Sequence, residues 1–141
     1  MGKILAAILT VLAVTVLCDI KTDEKLIFAD CKKDVTVYLD NASSTATIKK
    51  ISYRDYLNGY GDLKVFGASV HGCDEEYVYF LIDDLNAKEV FFEDIGDVKC
   101  VYYYTPNIRS YKIINGKKVN LQTAKRGEKY SVGCPMIFGG Y

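Results

Sequence analysis

The chain holds 141 residues, with 18 basic and 18 acidic side chains, one histidine, five cysteines and no tryptophan, and its formal net charge at neutral pH is zero. That balance gives no general attraction to nucleic acid, and a single histidine excludes both a multi-histidine metal centre and a pair of histidines sharing acid–base work. No Pro-rich or Gly/Ser-rich stretch divides the chain, so one domain with its own core is expected.

The first element is the apolar run Ile4–Leu17, preceded by Lys3 and ending at Cys18 before the charged segment that starts at Asp19. A spanning helix needs about 20 apolar residues to cross roughly 30 Å of hydrocarbon. The run is shorter than that and fits the apolar region of a secretory signal peptide behind a positive start. Val16 and Cys18 fit the small-residue positions before a cut at Asp19, with Val11 and Ala13 as a second choice. A buried helix and a retained N-terminal anchor are the rival readings; a bacterial lipidation box is disfavoured because Leu17 stands where a small residue is needed. The expectation is a signal peptide over residues 1–18 and a secreted domain over 19–141.

Export changes the meaning of the cysteines. Loss of Cys18 leaves Cys31, Cys73, Cys100 and Cys134, an even set in an oxidising compartment. Their separations are far from the close pairs of zinc sites, so no metal or other cofactor is expected. Cys31–Cys73 with Cys100–Cys134 is the preferred of three connectivities, each bridge contributing about 3–4 kcal/mol by chain entropy. The segment FADCKKDVTV, residues 28–37, resembles the N-terminal strand of small secreted lipid-binding sandwiches, over those ten residues alone.

Short apolar segments follow, cut by turn signals. VTVYL (Val35–Leu39) alternates with period 2; a turn containing the sequon Asn41-Ala42-Ser43 follows, making Asn41 a candidate glycosylation site, and residues 45–53 return as a strand. Residues 63–70 are a further strand. EYVYFLI, residues 76–82, is apolar on both faces, as a central strand would be. Residues 89–94 and VKCVYYY (Val98–Tyr104) continue the series to Pro106, which removes a ladder donor. Asn115-Gly116 between two strand-like runs predicts a hairpin with a type I′ turn, since both central residues need positive φ. A last strand covers residues 129–133. The fold class is therefore all-β: an antiparallel sandwich of immunoglobulin-like or Greek-key type, or a small barrel, of about 8–10 short strands.

Twelve tyrosines suit half-buried sheet surfaces. One group stands apart: Tyr56 and Tyr60 flank Asn58-Gly59, which reads as an exposed binding loop. Catalytic arrangements are sparse. His71 beside Cys73 or a serine is the sole nucleophile–histidine option, and Glu75, Glu76, Asp83 and Asp84 are the carboxylates that glycoside hydrolysis would need. The stretch from Asp84 starts like an EF-hand loop but carries Glu89 where glycine is required and Ile95 where the bidentate glutamate belongs.

Charge is segregated. Residues 74–97 carry nine acids against Lys88, and residues 99–130 carry eight bases against Glu128. Either the blocks pair across neighbouring strands, or they form opposed faces that steer an acidic partner or a second copy. Lys117 and Lys118 at the hairpin tip, with Arg126, are the candidate contact. The leading expectation is a secreted, disulfide-stabilised, non-catalytic binding module for an extracellular protein or anionic glycan. The alternatives are a small-ligand carrier, with a cavity lined by Phe66, Phe80 and Phe92, and a secreted carboxylate hydrolase.

Overall fold

Val35 and Val37 are fully buried and two residues apart, which places one side of β1 (Val35–Leu39) against a core. In the computed structural model, which describes residues 27–39, 47–59 and 65–137, β1 pairs antiparallel with β2 (Thr47–Ile51) on one side and with β3 (Val65–Cys73) on the other. β4 (Lys88–Ile95) and β5 (Val98–Tyr104) form a hairpin. β6 (Lys112–Ile114) and β7 (Lys117–Val119) form a two-stranded sheet of their own. β8 (Leu121–Arg126) and β9 (Lys129–Cys134) close the chain, and the seven remaining strands make one antiparallel sheet in the order β2-β1-β3-β9-β8-β5-β4. The chain is mostly β, as expected. Among the described residues β2 and β4 form open edges, so this sheet is not closed into a barrel.

Helices, not a second large sheet, cover one face. The segment expected to be a central strand, residues 76–82, lies within α2 (Glu75–Asp84); α1 (Tyr53–Leu57) occupies the expected tyrosine loop. Both have local causes. Ser52 Oγ accepts from Asp55 N at 3.1 Å, the N-terminal cap of α1. Asp74, Glu75 and Glu76 put negative charge at the positive end of α2. Val78, Leu81 and Leu85, spaced by three and four, are buried, and Asn86 stops the helix at φ 51°. Residues 76–82 look two-sided because Tyr79 and Phe80 sit outside, 58% and 50% exposed.

These helices and the short 3-10 turn Ala29–Cys31 enclose the larger cluster, which includes Phe28, Val35, Val37, Val70, Leu121 and Val132. Two tyrosines stitch the turn to α1: the Tyr56 hydroxyl accepts from Phe28 N at 2.7 Å and the Tyr53 hydroxyl donates to Ala29 O at 2.8 Å. A smaller cluster, Val98, Cys100, Tyr102, Val119, Ala124 and Ile137, fills the other face beneath β7 and the C-terminal segment. Buried Asn120 clamps the loop that leads to β6. Its Nδ2 donates to Thr105 O at 2.7 Å while its Oδ1 accepts from Thr105 N at 2.9 Å. Gln122 Oε1 accepts from Ile137 N at 2.8 Å and fixes the end of the chain. Among the described residues no helix is long and apolar enough to cross a membrane.

Candidate functional site

The Asn115-Gly116 turn has φ of 52° and 75°, as a type I′ hairpin requires, and β6 and β7 flank it. Lys112, Lys117 and Lys118 are exposed on this hairpin. Lys118 Nζ lies 4.8 Å from the Tyr111 ring centre, a cation–π contact that orders the lysine. Ile113 and Tyr111 are 61% and 45% exposed, so the hairpin joins basic and apolar surface. Arg126 is elsewhere, at the β8–β9 turn, and pairs with Asp97 at 3.6 Å.

The expected aromatic loop is corrected. Tyr56 faces the core, fully buried, and cannot serve as an exposed contact; Asn58 is exposed as the residue ending α1. The Ser52-x-x-Asp55 cap is the sequence signal for this helix. Tyr60 lies outside the described residues, as do Asn41 and residues 1–18. The expected cavity phenylalanines do not share an enclosure: Phe80 and Phe92 are 50% and 55% exposed, while Phe66 leans on Tyr38. Glu75 and Glu76 start α2 and Asp83 and Asp84 end it, so the two pairs stand roughly 12 Å apart by helical rise.

Among the described residues no disulfide is formed. The sulfurs of Cys31 and Cys73 nevertheless lie 3.8 Å apart, in contact across a separation of 42 residues. A hydrogen bond from the Cys73 thiol holds the Cys31 thiol below its ordinary range against the opposing effect of burial, and Lys33 adds to the lowering. Donating that bond, and burial, push the Cys73 thiol up. The Tyr77 hydroxyl is buried beside them and is raised chiefly by that burial. The other expected pair is not brought together. Cys100 on β5 and Cys134 on β9 are separated by β8 and belong to the clusters on opposite faces. Two strand spacings, about 9.6 Å, already exceed the Cα separation that a disulfide spans.

His71 lies where β3 loses register with β9, between Val70 and Cys73. A bulge of this kind re-aims side chains. Its Nε2 meets Ser69 Oγ at 3.1 Å and its Nδ1 meets Ser131 Oγ at 2.9 Å; Ser69 Oγ in turn meets the Tyr38 hydroxyl at 2.8 Å. Tyr38 and Ser69 are fully buried and Ser131 nearly so, making a polar chain that runs from the core to the surface. At its outer end is an open cleft of 320 Å³, lined by His71, Gly72, Ala124, Arg126, Lys129, Tyr130 and Ser131. Half-burial of the ring, and then the charge of Lys50, hold the imidazole below its ordinary pKa although the residue stands at the surface. Of the serines that could meet His71, Ser69 shares its strand two residues away, a period-2 signal, whereas Ser131 lies on another strand and has no local signal.

Compared with models of protein families, with curated proteins and with solved structures, the chain matches none.

Proposed function

We propose that this chain is a secreted, non-catalytic binding module that meets an anionic partner, a glycan or an acidic protein surface, through the β6–β7 hairpin. The observation that carries the reading is the composition of that hairpin: exposed Lys112, Lys117 and Lys118 beside exposed Tyr111 and Ile113. Cations interleaved with apolar and aromatic surface suit a partner with negative charge spread over a carbon framework, because contact area and charge are satisfied together. The hairpin sheet is the partial second layer of a sandwich, pinned at its base by Asn120. The two charge blocks meet at the ion pairs Arg126–Asp97 and Lys129–Asp74, both clear of the hairpin residues.

In an oxidising compartment the contact between Cys31 and Cys73 becomes a covalent bridge, tying the Ala29–Cys31 turn to the end of β3. The expected contribution is about 4 kcal/mol, given the length of the loop closed. The test is retention on immobilised heparin at low salt, for the protein recovered from culture medium. Binding that disappears in Lys117→Ala/Lys118→Ala, with the fold intact by circular dichroism, supports the reading. Retention that ignores both lysines removes it.

A further inference from the structure

We propose that the cleft beside His71 is a second site, which binds a tetrahedral oxyanion: sulfate or phosphate, free or as a monoester group. The site is built from three strands. β3 brings His71 and Gly72, β8 brings Ala124 and Arg126, and β9 brings Lys129, Tyr130 and Ser131. Gly72 has φ +68°, and the position of a Cβ there would meet nothing within 4 Å, so the mouth is open.

The electrostatics choose binding over catalysis. A serine–histidine dyad works only when the imidazolium that forms is stabilised, ordinarily by a carboxylate on the second ring nitrogen. Here both ring nitrogens meet serine hydroxyls, and Lys50 opposes protonation. Burial resists a charge of either sign, but the positive charge of Lys50 both opposes protonation of the ring and attracts an anion. Arg126 and Lys129 supply charge at the rim, where each is held by an exposed pair, to Asp97 and Asp74, that exchanges at small cost.

The polar chain supplies direction. Run outward, Tyr38 donates to Ser69, Ser69 donates to Nε2, and Nδ1–H donates to Ser131, which leaves the Ser131 O–H to donate into the cleft. An anion at the mouth favours this sense, and a guanidinium with two parallel N–H groups matches a tetrahedral oxyanion. The site is separate from the hairpin and does not rest on it.

Because His71 is the sole histidine, its ring resonances report on this cleft without ambiguity. The experiment follows them by NMR on the full secreted chain, titrating inorganic phosphate, inorganic sulfate or a monosaccharide sulfate at constant ionic strength set with chloride. Saturable shifts are expected, with the His71 midpoint moving upward as anion is added. Arg126→Gln/Lys129→Gln abolishes saturation, and Ser131→Ala weakens binding about tenfold, the loss of one charge-assisted hydrogen bond. Tighter binding of the sugar sulfate than of sulfate points to an ester group on a glycan; equal or weaker binding points to the free ion, and either supports the site. Shifts that never saturate, or that persist unchanged in the double variant with its fold intact, overturn it. Lys117 and Lys118 stay in place throughout, so this result and heparin retention are separate.

Discussion

Alternate residues of the same strands build the two faces of the seven-stranded sheet, and the faces are finished by different means. One is roofed by α1, α2 and the Ala29–Cys31 turn, over a cluster in which Phe28, Val37, Val70 and Val132 are fully buried. The other is roofed over β5 and β8 by β7 and the C-terminal segment. Further along the same face lies the polar chain, with Ser69 and Ser131 buried and His71 at the surface. The helical roof makes the larger apolar core, so stability is concentrated there. The other face buries polar groups and brings them to solvent at His71, beside the open cleft.

The largest effects should therefore come from the helix-roofed face. Phe28→Ala is expected to cost about 3–5 kcal/mol, as large-to-small changes at buried aromatics do. Phe28 is fully buried and its backbone is also tied to Tyr56. Val119→Ala, in the smaller cluster and equally buried, should cost about 2 kcal/mol, the loss of two methyl groups with a small cavity. Urea unfolding measures both. A Val119 variant as damaged as the Phe28 variant would break the contrast, since it would make the hairpin roof as essential as the helices.

Much of the sheet was legible in the sequence. β1 and β5 fall on the segments whose patterns announced them, and the Asn-Gly pair located the β6–β7 turn. In each case the signal is local: alternation every two residues, or a backbone conformation that few residues tolerate. The roof was not legible because its signals conflict. Tyr79 and Phe80 place aromatic rings on the solvent side of α2 and erase the polar stripe that marks an amphipathic helix. The acids before the helix and Asn86 after it were the better guides. The His71 chain was illegible for another reason: 60 residues separate His71 from Ser131, and only the register of β3 on β9 joins them.

A smaller effect sharpens the polar half of the contrast. His71 has a folded pKa below 6.5, through burial and the charge of Lys50, with Arg126 and Lys129 as the further cations around its cleft. Well above 6.5 the ring is neutral in both folded and unfolded chains and contributes no pH dependence. As pH falls through 6.5 the unfolded chain takes the proton first, so stability declines until the folded ring also titrates, and then levels. Urea midpoints should fall between neutral and mildly acidic pH, before carboxylates titrate, and His71→Gln should flatten that slope. A slope unchanged in the variant would mean that the ring is open to water and the chain from Tyr38 does not constrain it.

The smallest effect is expected where the helical roof comes nearest to the cleft. Asp74 stands at the residue before α2, a position where an aspartate commonly caps the helix, yet its side chain makes no cap. It reaches across to Lys129, and the two depress the carboxyl pKa and raise that of the ammonium. Both groups stand in full solvent, which screens the pair and leaves little net stabilisation. Asp74→Asn should therefore leave the urea midpoint unresolved from the parent. Its effect should appear in the cleft instead: with its exposed partner gone, Lys129 turns more readily to an anion, and phosphate should bind His71's cleft more tightly. A variant that loses stability and binds phosphate no better would assign the pair to the helical roof, as the tie that fixes the start of α2 against β9.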